Sequence, residues 1–206
     1  MNAATPGVLP PARERLLLIT AAGEFARAGY ERASLNTIIR NCGMSKSSFY
    51  HYFASKQALF EHVMTEAGKA LLDELQVPAP GELGGDRFWE RVAALLARLL
   101  AISAQQAWYI DAGKLFHLPD APAAQSPALQ RALIHSAQWL DEALAVGREC
   151  GAVRDDLPAP LQGELVFAVL QAMDRWSLQH KDAMDATAWQ RLADLQLDAV
   201  RRLLAP

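Results

Sequence analysis

The fold of this chain is decided by residues 34–53, which read Ser-Leu-Asn-Thr-Ile-Ile-Arg-Asn-Cys-Gly-Met-Ser-Lys-Ser-Ser-Phe-Tyr-His-Tyr-Phe. Apolar residues at helical spacing predict two short helices within this stretch. Ser34 and Ser45 stand immediately before them, where a hydroxyl can accept an unpaired backbone N–H as an N-cap. Gly43 lies between the helices, at a turn that favours a left-handed residue. Two short helices around a glycine turn predict a helix-turn-helix, whose second helix can enter the major groove of DNA.

Two segments of the sequence resemble the TetR family of one-component bacterial regulators. The first is the helix of residues 18–30, and the second runs from residue 43 to residue 59. The positions that agree with the family pattern are Phe25, Gly29, Gly43, Tyr50, Phe53, Lys56 and Leu59. The resemblance covers about residues 13–62 and implies a DNA-binding transcriptional regulator, most often a repressor. Beyond that point it rests on length, helical content and layout alone.

Charge is unevenly distributed along the 206 residues, which contain 23 acids and 20 bases. Residues 1–56 contain seven Lys or Arg and three acids, whereas the remainder contains 13 bases and 20 acids. A positive amino-terminal part favours approach to a polyanion by that end. Two cysteines are too few for a disulfide framework, and no segment approaches the roughly 18 apolar residues of a membrane span. The sequence therefore predicts a soluble, cytoplasmic protein.

Apolar periodicity predicts an all-α chain of about nine helices, because no run of β-branched residues alternates as a strand would. After a flexible arm of residues 1–11, helices are predicted at about 12–28, 34–42, 45–53, 55–76, 87–104, 105–117, 127–150, 160–180 and 185–204. Asp86 is predicted to cap the fifth helix, and Ser126, before Pro127, to begin the seventh. We divide the chain into a helix-turn-helix DNA-binding domain with its arm, residues 1–56, and a ligand-binding and dimerisation domain, residues 57–206.

A helix that contacts DNA presents short polar side chains and a few long cations on its exposed face. The resemblance implies that Lys46, Ser47 and Ser48 face base edges and flanking phosphates. It also implies that Tyr50 and Lys56 hold phosphates, so that loss of the Lys56 cation would make the salt dependence of binding shallower by about one unit. The full set of predicted DNA-binding residues is Ser34, Asn36, Thr37, Ser45, Lys46, Ser47, Ser48, Tyr50, His51, Tyr52 and Lys56.

The last two predicted helices carry apolar residues over more than one stripe, whereas a surface helix of a monomer needs only one. A short recognition helix makes few contacts, so DNA binding favours two copies roughly 34–36 Å apart. In the resembled family these two helices pair with their mates in a four-helix interface. The prediction is a homodimer on double-stranded operator DNA, joined through the last two helices. The alternative is a monomeric bundle in which both helices are central.

The body of the chain is rich in aromatic residues, and such an all-helical body can enclose an apolar cavity. The predicted ligand-binding residues are Met64, Trp108, Tyr109, Phe116, His117, Trp139, Met173 and Trp176. The corresponding function is a repressor released from its operator by a small apolar or aromatic molecule. The same residues also suit an ordinary core, so a regulator controlled by a protein partner, with no small-molecule effector, stays open.

Catalytic and metal-binding motifs are absent from the sequence. Its five histidines form no close pair, and it contains no nucleophile elbow, phosphate loop or dinucleotide fingerprint. We therefore predict no enzymatic activity, no cofactor and no metal site. A helical enzyme with a basic amino-terminal adaptor is the remaining alternative, and it lacks a catalytic constellation.

Overall fold

A computed structural model of the chain describes residues 9–118 and 127–206. Within these ranges the chain forms nine α-helices and no strand, which confirms the predicted all-α fold. The helices are α1 (Pro11–Ala28), α2 (Leu35–Asn41), α3 (Lys46–Tyr52), α4 (Lys56–Leu75), α5 (Phe88–Gln105), α6 (Trp108–Leu115), α7 (Pro127–Glu149), α8 (Ala159–His180) and α9 (Ala186–Leu204). Short 3₁₀ turns cover Pro80–Leu83 and Lys181–Ala183. None of the described helices is long and apolar enough to cross a membrane.

The helices form two compact units. The first contains the described residues up to Leu71 and those from Ala107 to Gln130, and the second contains Leu72–Gln106 and Arg131–Pro206. Helices α4 and α7 each contribute residues to both units. The boundary predicted after residue 56 separates a DNA-binding domain from a ligand-binding and dimerisation domain. Because the two units above are defined by compactness and not by function, that boundary stays a prediction.

The core of the first unit is aromatic. Phe25 of α1 and Phe60 of α4 are fully buried and meet edge to face, with ring centroids 5.2 Å apart. Tyr30, just after α1, packs its ring against both. Gly23 of α1 faces α6, and a Cβ atom there would lie at an ordinary contact distance, 3.7 Å, from Asp111 Oδ2. The packing of α1 between α4 and α6 therefore fixes the framework that carries α2 and α3.

The core of the second unit joins helices that are distant in sequence. Its buried members are Leu83, Phe88, Ala143, Leu144, Val153, Val166, Val200 and Leu204. Gly147 of α7 lets the helix approach closely, since a Cβ atom there would lie 2.5 Å from Val153 Cγ2. The one buried side-chain amide described in this unit, Gln162, is satisfied, because its Oε1 accepts from Arg148 Nη1 at 2.5 Å and its Nε2 donates to the Arg154 carbonyl at 2.9 Å.

Two helix starts differ from the prediction. Helix α5 begins at Phe88, its N-cap is Arg87, and no side chain caps it, so the predicted Asp86 cap is wrong. The reason is the turn at Gly85, whose φ of 88° places Asp86 one residue too early to accept a first-turn N–H. Helix α6 is also shorter than predicted and begins at Trp108. The predicted arm before residue 9, and the predicted loop with Ser126, lie outside the described residues.

Candidate nucleic-acid interface

The helix-turn-helix is built from local hydrogen bonds at the positions that the sequence indicated. The Ser34 hydroxyl accepts the Thr37 N–H at 3.2 Å at the start of α2. Gly43 ends that helix with a φ of 62°, and the Met44 N–H returns to the Ile39 carbonyl at 3.0 Å. The Ser45 hydroxyl then accepts the Ser48 N–H at 3.1 Å and begins α3. Both predicted serine caps and the left-handed glycine are confirmed.

Helix α3 has one buried and one exposed face. Phe49 is fully buried and stacks on Phe53, whereas Tyr50 is 56% exposed. The predicted DNA-binding residues divide accordingly: Asn36, Ser45, Lys46, Ser47, Tyr50 and His51 are exposed, and Ser34, Thr37, Ser48, Tyr52 and Lys56 are partly buried. The exposed face carries hydroxyls, an imidazole and one ammonium group. Such a face can donate to phosphate oxygens and to base edges.

Two cations of α2 and α3 are exposed. Lys46 of α3 makes no ion pair within the part of the chain that the structure describes, and the same is true of Arg40 of α2. Arg40 lies four residues after Asn36, so both occupy one side of α2. Arg40 was not among the predicted DNA-binding residues, although its helical spacing from Asn36 makes it a further candidate. By contrast, the Arg27 guanidinium is paired with Glu24 at 2.6 Å.

Lys56 differs from the other predicted DNA-binding residues. Its ammonium group donates to the carbonyl oxygens of Tyr30 at 2.8 Å, Glu31 at 2.9 Å and Ala33 at 3.5 Å. It also lies 4.7 Å from the centre of the Tyr30 ring. The predicted phosphate contact stays a prediction, and these contacts point to a second role.

Glu24, Tyr30 and Cys42 of the first unit have shifted pKa values. Burial acts to raise the pKa of Glu24, but the Ser34 N–H and the Arg27 guanidinium outweigh it and lower that pKa overall. Burial, with smaller contributions from Glu31 and Glu61, raises the pKa of Tyr30. Burial also raises the pKa of the Cys42 thiol, against a hydrogen bond with Thr20. Cys42 is therefore less reactive than an exposed thiol.

The predicted ligand-binding residues are distributed over both units. In the first, Met64 and Tyr109 are buried and Trp108 stacks on Tyr109 at 4.5 Å; Phe116 and His117 are partly buried. In the second, Trp139 donates to the Pro78 carbonyl at 2.9 Å, and Met173 packs on the core. Trp176 is 46% exposed and stacks on His180. Their role in ligand binding stays a prediction.

A cleft of about 390 Å³ opens in the second unit. It is lined by Gln76, Pro78, Glu82, Leu83, Arg91, Ala94, Leu95 and Arg98, none of which was predicted. Arg91 donates to the Gly84 carbonyl, and Arg98 donates to Gln76 Oε1 at 2.9 Å. Each guanidinium carries five N–H groups, so the cleft combines an apolar wall with donors suited to an anionic or carbonyl group. In residues 9–118 and 127–206, no three His, Cys, Asp or Glu side chains are grouped as a metal site.

Comparison with known proteins identifies the amino-terminal region. Residues 17–63 match the family described as bacterial regulatory proteins, tetR family. The HTH-type transcriptional regulator UidR of Escherichia coli (strain K12) is 31% identical over 86 residues, which make up 41% of this chain and 43% of that protein. The chain spans less than half of the length of the curated relatives that it matches.

Solved structures share the complete fold. SmeT, in its complex with triclosan, aligns with a TM-score of 0.72 at 16% identity over 95% of this chain and 92% of that chain. FadR from Bacillus subtilis, in complex with stearoyl-CoA, aligns with a TM-score of 0.67 at 14% identity over 90% and 96%. At these identities the likeness shows the fold alone. With the family match and the geometry of α2 and α3, residues 17–63 form a DNA-binding region of the tetR family of bacterial regulatory proteins.

Proposed function

We propose that the chain is a DNA-binding transcriptional regulator, that it works as a homodimer, and that it is a repressor released by a small molecule. The observation that carries the proposal is helix α3, which buries Phe49 and exposes Lys46, Ser47, Tyr50 and His51. The buried face fixes the orientation of the helix, and the exposed face is left for the groove of a duplex.

The residues of α3 divide into two roles in this proposal. Lys46 and Ser48 contact base edges and neighbouring phosphates, so they contribute to sequence preference. Tyr50 donates its hydroxyl to a phosphate, which contributes affinity without sequence information. Asn36 and Arg40, which are exposed on one side of α2, add phosphate contacts in this proposal. The Ser45 cap orients the first turn of α3, where the base contacts begin.

Dimerisation through α8 and α9 is supported by an apolar stripe on α8. Exposed residues at helical spacing run along it: Leu161, Leu165, Ala168, Ala172 and Trp176. Three of these, Leu161, Leu165 and Trp176, are large side chains that remain between 41% and 46% exposed in the single chain. A contiguous exposed apolar stripe of this kind is typical of a protein interface. Leu195 of α9 is also exposed.

Control by a small molecule is supported by two observations. Helix α4 runs without interruption from Lys56 in the first unit to Leu75 in the second. The cleft of about 390 Å³ has a volume within the roughly 300–1,000 Å³ typical of ligand sites. In this mechanism a ligand bound in the body shifts the population towards a state in which the two recognition helices of a dimer are wrongly spaced. The triclosan and stearoyl-CoA complexes of SmeT and FadR illustrate the classes of molecule to test first.

The alternative is a DNA-binding regulator controlled by a protein partner. Its supporting observation is that Met64 and Tyr109 are ordinary core residues, each less than 9% exposed. An enzymatic function has no catalytic sequence motif to support it.

Two measurements test the proposal. Retardation of genomic fragments from the source organism, followed by sequencing of the retained DNA, is expected to recover a palindromic operator. Native mass spectrometry of the purified protein is expected to give a dimer, with a retained small molecule in at least part of the sample. Failure to retard any fragment would refute DNA binding. A dimer that carries no small molecule, and whose operator affinity no candidate ligand changes, would favour the partner-controlled alternative.

A further inference from the structure

The ammonium group of Lys56 is coordinated by the backbone of the loop between α1 and α2. A lysine has three N–H donors, and three carbonyl oxygens lie within hydrogen-bonding distance of Nζ, from Tyr30, Glu31 and Ala33. The loop folds back on itself to present them, because Gly29 adopts a φ of 78° and its carbonyl accepts the Ala33 N–H at 3.0 Å. The cation therefore occupies a site that the loop itself forms.

The Tyr30 ring completes this site. The Lys56 cation lies 4.7 Å from the ring centre, a distance at which the face of an aromatic ring attracts a cation. The ring is held in turn by Phe25 and Phe60, at centroid distances of 5.9 and 5.3 Å. The site is thus anchored in the aromatic core of the first unit.

The loop leads directly into the DNA-contacting helices. Ala33, whose carbonyl accepts from Lys56, is followed by Ser34, the N-cap of α2. The Ser34 N–H donates to Glu24 Oε1 at 2.9 Å. Lys56 from α4 and Glu24 from α1 therefore hold adjacent residues, one through a carbonyl and the other through an N–H. The Met44 N–H then donates a hydrogen bond to the Ile39 carbonyl, which ties the turn before α3 to helix α2.

We propose that Lys56 is a positioning residue, which ties the first turn of α4 to the α1–α2 loop and so orders the start of α2, the helix that precedes the recognition helix. This inference rests on the proposed function for its consequence at DNA. A phosphate contact by the same ammonium would require it to leave three backbone acceptors that it already satisfies. Lys56 therefore affects operator affinity through the loop. Its cation is not one of those that neutralise DNA phosphates.

The salt dependence of binding separates the two roles. A cation that neutralises a phosphate contributes about 0.9 to the slope of log Kobs against log salt concentration. We expect Lys56→Met to weaken operator binding roughly tenfold or more at every salt concentration while leaving that slope unchanged. The matched control is Lys46→Met, which removes the same charge from an exposed position on α3 and is expected to make the slope shallower by about one unit. If Lys56→Met made the slope shallower by about as much as Lys46→Met does, the proposal would be wrong.

Amide hydrogen exchange tests the same point without DNA. In Lys56→Met the amides of Ser34 and Thr37 are expected to exchange faster, because the loop that orders them has lost its anchor, while amides in the middle of α4 keep their protection. A uniform acceleration across the first unit, or no change at Ser34 and Thr37, would contradict a positioning role. Lys56→Arg, which keeps a cation with several donors, is expected to restore at least part of the protection. Lys56→Gln, which retains two N–H donors, replaces the methionine variant if that one fails to fold. Because the exchange experiment needs no operator, it tests the loop anchor even if DNA binding itself is not observed.

Discussion

The Glu24 carboxylate, on α1, accepts the backbone N–H of Ser34 at 2.9 Å, one residue before α2 begins. Its other oxygen accepts from Arg27 at 2.6 Å. Burial acts to raise the pKa of Glu24, but the two hydrogen bonds and the Arg27 charge together lower it. A buried carboxylate on the scaffold helix thus orders the entry to the helix-turn-helix, and the fold stabilises its charged form.

The first prediction concerns pH. Because the folded state lowers the pKa of Glu24, its contribution to stability is present above the ordinary value of 4.5 and is lost as the pH falls below that value and through the lowered one. We expect Glu24→Gln to lose about 1–3 kcal/mol of unfolding free energy at pH 7. The difference between variant and wild type should shrink as the pH is lowered below 4.5. Urea unfolding at a series of pH values measures this, and a difference that is independent of pH would contradict it.

The second prediction concerns the two roles on α3. The Tyr50 ring packs edge to face on Phe49 at 5.3 Å, so Tyr50→Phe removes the hydroxyl and keeps the packing. We expect this variant to weaken binding to specific and random DNA by the same factor, about three- to tenfold, the equivalent of one lost hydrogen bond. Lys46→Ala is expected to weaken binding to the operator more than to random DNA. Fluorescence anisotropy with an operator duplex and a scrambled one distinguishes the two, and equal effects for both variants would refute the division.

Local features of the helix-turn-helix could be predicted from the sequence because they depend on neighbours within a few residues. Ser34 and Ser45 each accept an N–H three residues ahead, and Gly43 needs only its own freedom at positive φ. The Asp86 cap was predicted from the same kind of local pattern and was wrong, because the turn at Gly85 placed the start of α5 one residue later. Caps can be assigned from short patterns only where the preceding turn is also known.

Long-range contacts could not be predicted in the same way. The acceptors of Lys56 lie 23 to 26 residues before it, and no periodicity relates them. The cleft of the second unit combines the end of α4, a 3₁₀ turn and one face of α5, whose arginines resemble ordinary surface residues in the sequence. The sequence indicated instead aromatic and methionine residues such as Tyr109 and Met64, which are buried, and their role in ligand binding stays a prediction. Which residues meet is decided by tertiary packing, and local patterns of residue type and spacing do not reveal it.

The third prediction compares two helical glycines. Gly147 lies in α7, where a Cβ atom would come within 2.5 Å of Val153 Cγ2 and 2.9 Å of Phe88 Cζ. We expect Gly147→Ala to cost about 1–3 kcal/mol from overpacking, which outweighs the gain in helix propensity. Gly68 in α4 has no such neighbour within 4 Å of the point where a Cβ atom would stand, so Gly68→Ala should add roughly 0.5–1 kcal/mol. Thermal unfolding is expected to move in opposite directions for the two variants, and a shift of the same sign for both would show that the close approach at Gly147 can relax.

The fourth prediction concerns the exposed stripe on α8. Leu165 is 41% exposed and is the second residue of the stripe, after Leu161. If the stripe is the dimer interface, Leu165→Glu places a charge where the partner would bury it, at a cost of several kcal/mol. We therefore expect a monomer at micromolar concentration in sedimentation velocity, and loss of operator binding because the two recognition helices are no longer held together.

The matched control for this variant is Leu72→Glu, at an apolar residue on α4 that is 59% exposed and lies away from α8 in the sequence. It introduces the same charge at a comparably exposed leucine, so it is expected to leave both the dimer and operator binding intact. Circular dichroism is expected to show the same helical content for both variants, because neither leucine belongs to a buried core. A Leu165→Glu protein that sediments as a dimer, like the control, would remove α8 from the interface and leave the exposed Leu195 on α9 as the residue to test next.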